Sequence, residues 1–502
     1  MRPRALCDPS YIVPNRMDRR VLLLSYYFPP AGGPGVQRAL KFVKYLPEFG
    51  WAPTVLTVRE GAFPAHDRSL AADVPAAASV HRTPSLDPHW FYARLAGRSD
   101  DEVDVGSVEG QQETGMERVA RWIRANLFLP DARVGWVPFS VWRGRQLVAE
   151  GDVDAILTTG PPHSTHLAGA ALQALTGVPW VADFRDPWTD INYYDELPHT
   201  RWARRLDAAL ERTVLRQARA VTTVSPTWRD LLTGKTGRTA GEAITVVQNG
   251  FDVDDLSPGE AAPSTEAFEV THVGSLYASR NPTGLWRALR RLRDEGVMPA
   301  LRIRLVGTVD ANVRDALRAQ GLMDVTELIP YVPHDEAVAY MRRTGLLLLS
   351  IESFPQDEGM STGKIYEYLA AGRPIVGVGP PGGDAAALLR KTEGGRLFGR
   401  DDVSGLAQYI RHHYEAWAAD TPQRGASPEA LDPYRRRAQT ERMGAVLRGV
   451  CSDEYGSRRA RHVVHFLHCG LKADGPLFGG RCANPASVSA GCQVSRPLHL
   501  PP

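Results

Sequence analysis

The chain has 502 residues, 43% of them hydrophobic and 23% charged, with a formal net charge of +2. That length exceeds what one core holds and calls for two domains, while the near-balanced charge excludes wholesale nucleic-acid binding and leaves only local basic surfaces. No apolar run approaches the ~20 residues of a membrane-spanning helix. Four of the five cysteines, Cys451, Cys469, Cys482 and Cys492, lie at or beyond the end of the patterned region, and Cys7 precedes it, so the body suits a reducing, cytoplasmic compartment.

Residues 1–16 lack the apolar centre of a signal peptide and read as a disordered leader. Val21 to Ser25 is a continuous apolar run, expected of a parallel strand covered on both faces. A loop containing Gly32 and Gly33 follows, then a helical pattern through Val36, Leu40 and Val43, then a strand from Thr54 to Val58. This is a βαβ unit with a glycine-rich first turn. Residues 98–117 are acidic and poor in apolar groups, which predicts a surface loop.

Strands at Ala155 to Thr158, Trp180 to Asp183 and Ala220 to Val224 alternate with helices and extend one sheet. His163 and His166 follow the first of these strands, and Asp183 and Asp186 end or follow the second, where α/β clefts open. Asp152-Val153-Asp154 precedes a buried strand, where paired acids cap or solvate a strand edge, and it is not assigned to a metal. The helix from Arg201 to Arg219 is expected to turn Trp202, Leu206, Leu210, Val214 and Leu215 inward and its arginines outward. Such a face is either simply solvated or a contact with an anionic membrane.

Asn249-Gly250 marks a turn and an Asp/Pro/Ser-rich linker follows over 251–267. The pattern then restarts with Glu269 to Val273, Leu301 to Val306, Leu346 to Ile351 and Pro374 to Val378. Residues 17–250 and 268–450 therefore form two Rossmann-like domains, the second ending in a helix able to return to the first, with a disordered tail over 451–502.

The segment from Glu358 to Val376 reads as a polar loop entering a helix and then a strand. Free N–H groups and the positive end of a helix favour an anion, Ser361 or Thr362 is a suitable cap, and Gly363 and Lys364 follow at once. About one turn on, Glu367 shares the face of Lys364 and offers an acceptor for sugar hydroxyls. A diphosphate beside a ribose satisfies that layout.

Taken with Phe28-Pro29-Pro30-Ala31-Gly32-Gly33, Gly160-Pro161-Pro162-His163, Val181 to Trp188 and Asn249-Gly250-Phe251-Asp252, the ordered set resembles the retaining GT-B glycosyltransferases of the family 4 (group 1) type, in the bacterial surface-polysaccharide branch. The resemblance covers roughly Arg19 to Leu447. It implies two Rossmann-like domains facing a central cleft, a nucleotide-sugar donor on the C-terminal domain, and a saccharide or lipid-linked acceptor on the N-terminal one. It implies no metal and no cofactor. By that resemblance Arg280 is a phosphate ligand, Gly32 and Gly33 approach the donor from the opposite lobe, and His163 with Asp183 or Asp186 orients the sugar or acceptor. The family's first motif glutamate would fall at Gly359, and one of its two phosphate cations at Ser275, so this chain departs at both positions. An epimerase or hydrolase on the same fold, or a nucleotide-binding partner without turnover, are the alternatives.

Overall fold

In the first sheet, β1 (Arg19–Leu24), β2 (Trp51–Val58), β3 (Ser79–Thr83), β4 (Val153–Gly160), β5 (Trp180–Phe184), β6 (Ala220–Thr223) and β7 (Thr245–Val246) lie in the order β3-β2-β1-β4-β5-β6-β7. Every pairing is parallel. In the computed structural model, the described residues are 19–86 without 62, 64, 65 and 68, then 115–237, 244–256, and 264–452 without 422. The expected leader, most of the 98–117 segment and nearly all of the expected tail lie outside them.

The second sheet repeats the plan. Its strands β8 (Phe268–Val273), β9 (Leu301–Val306), β10 (Thr326–Ile329), β11 (Leu346–Ser350), β12 (Ile375–Val378) and β13 (Gly395–Phe398) are ordered β10-β9-β8-β11-β12-β13. Both orders reverse at one point, between β1 and β4 and between β8 and β11, where open parallel sheets leave a crevice beyond their carboxyl ends. The expected doubly wound α/β architecture is thus present twice, and both sheets belong to one compact unit ending at Cys451.

Helices cover both faces of each sheet, which explains the uninterrupted apolar strands. On the first sheet, α1 (Pro34–Tyr45) lies on one face, and α3 (Val137–Glu150), α4 (Ser164–Thr176) and α5 (Arg201–Gln217) on the other, with α2 (Gly115–Leu127) against α5 and α6 (Pro226–Thr236) after β6. On the second, the core includes Trp286 and Leu289 of α7 (Thr283–Asp294) and Leu406 of a later helix over 403–418. Among the remaining described helices, α8 is Ala311–Ala319, α9 is His334–Arg343, α10 is Gly363–Ala370, α11 is Asp384–Thr392, α12 is Val403–Ala418, α13 is Pro428–Leu431 and α14 is Arg436–Cys451.

Met443 and Leu447 of α14 pack with Val21, Leu23 and Leu40 in the first core. The last described helix thereby packs on the first domain. Ion pairs reinforce the crossing: Asp252 lies 2.8 Å from Lys41 and 3.0 Å from Lys44, and accepts from the Tyr45 hydroxyl at 2.7 Å. Lys41, only 1% exposed, also meets Asp73 and Asp255, so its buried charge is compensated several times over.

Candidate active site

On the C-terminal side, β8 ends at Gly274 with φ +110°, and a Cβ built there would lie 2.2 Å from the Lys364 Nζ. The ammonium therefore rests against the one residue type that leaves it room. Lys364 sits in the first turn of α10, whose cap residue Thr362 has an extended backbone but makes no side-chain capping bond. The Thr362 hydroxyl is buried without a partner, and the Ser361 hydroxyl turns to the Tyr366 hydroxyl at 3.1 Å. The first-turn amides of α10 are consequently left uncapped by their own side chains, and suit an anion.

Lys364 makes no hydrogen bond or ion pair among the described residues. Burial holds its pKa down to about 8, with the Arg280 charge adding and Glu367 opposing. Arg280 follows β8 in a short turn; its Nη2 reaches Glu352 only at 3.5 Å and its Nε is buried without a partner. Glu367 lies within one turn of Lys364, and its carboxylate likewise makes no hydrogen bond among the described residues. Burial pushes its carboxyl up, against the pull of His334, Arg436 and Lys364. The structure thus gathers Arg280, Lys364, Glu367 and the Ser361 to Gly363 helix start at the reversal point of the second sheet.

The N-terminal half is arranged differently. Gly33 precedes α1 with φ +92° and no side-chain cap, at the carboxyl end of β1. The Arg185 guanidinium donates to the carbonyls of Gly35, Gly160 (3.0 Å) and Pro161, tying the glycine turn to the turn after β4. Arg185 spends its donors on backbone, not on Asp183 or Asp186.

Asp183 corrects the expectation of a cleft-facing acid. It is 0% exposed and accepts from Arg38 Nε at 2.8 Å and Nη2 at 2.7 Å, from Thr159 at 2.9 Å and from Thr222 at 2.6 Å. Burial works against its charge, yet Arg38 and the two hydroxyls hold its pKa below the usual range. With both oxygens engaged it is an internal counter-ion. Asp186 is only partly buried and has no hydrogen bond among the described residues; burial raises its pKa, with Arg185 opposing. Of the two acids, Asp186 keeps a free acceptor.

His163 is 5% exposed, stacks on Trp188 with centroids 5.0 Å apart and planes 8° apart, and has no partner on either ring nitrogen. Burial, with the charges of Arg185 and Lys235, holds it neutral well below the usual histidine range. His166 belongs to the core: it stacks on Phe184 at 4.5 Å, pairs with the Thr158 hydroxyl at 2.8 Å, and is held near 3 by burial. Asp154 accepts from the Arg20 amide at 2.8 Å, as a strand-edge acid does. No cluster of His, Cys, Asp or Glu suited to a metal ion occurs among the described residues.

Two residues of this region escaped sequence reading. Trp228, in the first turn of α6, packs against Gly359 so closely that a Cβ there would lie 2.2 Å from its ring. Any side chain at position 359 therefore requires the Trp228 ring to shift, and the neighbouring Glu358 is exposed. A tryptophan opening the helix after β6 lies at the cleft end of the sheet, and that placement was the available signal. Arg436, at the start of α14, is burdened by burial to a pKa near 10 and senses Glu367 and Asp255. Its guanidinium has no bonded partner among the described residues, and nothing local in sequence links it to Glu367.

Two family models match in tandem: Glycosyltransferase Family 4 over residues 92–255 and Glycosyl transferases group 1 over residues 267–416. WcaL of Escherichia coli, named as a colanic acid biosynthesis glycosyltransferase, is 26% identical over 171 residues, which is 34% of this chain and 41% of that protein's length. A glycosyltransferase from Rickettsia africae superposes with TM-score 0.56 at 11% identity, covering 87% of this chain and 99% of that one. WaaG, a glycosyltransferase involved in lipopolysaccharide biosynthesis, superposes with TM-score 0.51 at 14% identity over 85% and 99% of the two chains. With its paired sheets and these two matched models, the chain belongs to the GT-B glycosyltransferases, a family 4 domain leading and a group 1 domain following.

Proposed function

We propose that the protein transfers a sugar from a nucleoside-diphosphate donor to a saccharide or lipid-linked acceptor, with retention at the anomeric carbon, in cell-envelope polysaccharide or glycolipid synthesis at the inner face of the membrane. The observation that carries this reading is the unpaired Lys364 ammonium against Gly274, beside Arg280 and an uncapped helix start. A departing diphosphate is the group that such preorganised positive charge stabilises. Glu367 takes the ribose hydroxyls, the backbone at Gly32 and Gly33 approaches the donor from the first domain, and neutral His163 with Asp186 orients the sugar or acceptor.

In the transfer, the bond from the anomeric carbon to the leaving phosphate oxygen breaks as the acceptor oxygen bonds to that carbon on the same face. The acceptor hydroxyl proton passes to the departing phosphate. The reaction proceeds without metal or cofactor, so activity survives EDTA. A thermal-shift panel of UDP, GDP, ADP and dTDP sugars tests the reading: one nucleotide stabilises the protein and Glu367→Ala abolishes the response. An unchanged response in that variant moves the site elsewhere.

The Trp228 ring over Gly359 favours, as a second reading, a nucleotide-binding partner protein without turnover. Donor binding with no consumption in the presence of extract-derived acceptors selects it.

A further inference from the structure

The helix α5 was expected to bury Trp202 and Leu206, and it does the opposite. Trp202 is 61% and Leu206 37% exposed, whereas the two acids of the helix, Asp207 and Glu211, are 0% and 1% exposed. Asp207 accepts from the Trp188 indole at 2.7 Å, and Glu211 pairs with Lys235 at 2.8 Å. Both carboxylates of the helix are thus consumed inside, and its outer face presents Arg201, Trp202, Arg205, Leu206 and Arg212 with no acid of its own. At ~100° per residue these five side chains fall within one broad stripe.

A second helix extends the same surface. The C-terminal end of α2 is pinned to the start of α5: the Asn126 side chain donates to the Pro198 carbonyl at 2.9 Å and accepts from the Thr200 amide at 2.7 Å, and Thr200 caps α5. That end of α2 exposes Trp122 at 45% and Leu127 at 63%. In the loop before α5, Asp195 is held by Arg204 at 2.7 Å and Glu196 is exposed. Arg201, Arg205 and Arg212 have no ion pair among the described residues. Because β5 and β6 are parallel, α5 runs back between them, and its Trp202 end lies at the carboxyl ends of the strands, the end at which the cleft opens.

We infer that the α2–α5 surface docks on the anionic headgroup layer of a lipid bilayer, with Trp122, Trp202, Leu127 and Leu206 entering the interface and the arginines meeting lipid phosphates. Tryptophans flanked by arginines on an acid-free helical face are what such an interface selects, and the exposed cations match its negative surface potential. The placement puts an acceptor cleft beside the layer that would hold a lipid-linked acceptor, and to that extent it rests on the proposed function.

Flotation of the full chain with phosphatidylglycerol-containing vesicles, and with vesicles of phosphatidylcholine alone, tests this with no sugar nucleotide present. The protein floats with the anionic vesicles and is released by salt. Combined Trp122→Ser and Trp202→Ser, and separately combined Arg201→Glu, Arg205→Glu and Arg212→Glu, each weaken partition by roughly ten-fold or more. Tyr331→Ser, at an 86% exposed aromatic residue of the other domain, changes nothing. Unchanged melting midpoints show that the variants fold, and unchanged nucleotide-induced thermal shifts keep the membrane claim separate from the donor site. Absent flotation, equal partition to neutral vesicles, or full binding by both combined variants overturns the inference. So does light scattering that shows a dimer lost in the tryptophan variant, which assigns the face to a second copy of the chain.

Discussion

The two sheets share a strand order but treat charge at their carboxyl ends in opposite ways. In the first, Asp183 is met by a bidentate arginine and two hydroxyls, and the charge is spent inside the fold. In the second, Lys364 lies against a glycine with no carboxylate in contact, and the charge is left over. A buried ionised group costs several kcal/mol unless compensated. Compensation within the protein therefore marks architecture, and its absence at a cleft marks a place awaiting a ligand of opposite sign.

The contrast is broken most forcefully at Asp183. Asp183→Ala strands the Arg38 guanidinium, 2% exposed, without its partner, and is expected to cost about 3–5 kcal/mol of stability. Urea unfolding measures it; a variant as stable as the parent contradicts the counter-ion assignment. Lys364→Met has the reverse profile, leaving stability equal or higher while weakening nucleotide binding.

Gly274→Ala sharpens the second half of the comparison. An L-residue at φ +110° is strained by about 1–3 kcal/mol, and its Cβ displaces the ammonium, so the thermal shift with nucleotide disappears along with part of the melting temperature. Retention of that shift shows that the ammonium does not need its place over the glycine.

Acid sensitivity is the most gradual effect. His166 and His272 are both held near 3 by burial, whereas unfolded histidine titrates at about 6.5. The unfolded chain therefore binds more protons between those values, and stability falls as pH drops below about 6.5, at on the order of 1 kcal/mol per histidine per pH unit. Melting midpoints from pH 7 to pH 5 that do not decline count against the buried neutral rings.

Sequence made the central strands legible because each is covered on both faces and reads as an unbroken apolar run, as in Leu346–Ser350. The edge strands β3, β7, β10 and β13 went unrecognised because half of each faces outward and the run is interrupted; Thr326–Ile329, for example, has no fully buried residue. The grouping of the residues proposed to hold the donor was legible since Ser361 to Glu367 is contiguous and helix geometry fixes its faces. The interior role of Asp183 was not, because the partner that neutralises it comes from α1, far away in sequence. In α5 the apolar period misled for a related reason: the helix buries its acids against Trp188 and Lys235, and so frees its tryptophan for the surface.

The most direct test of the account is the pH dependence of nucleoside-diphosphate affinity in the parent and in Lys364→Met. With the Lys364 pKa near 8, the cation is present below that value and lost above it, so Kd rises as pH climbs through about 8, and the variant binds weakly with no such rise. Affinity independent of pH across that range, or equal in the two proteins, contradicts the claim that the diphosphate is held by the ammonium over Gly274.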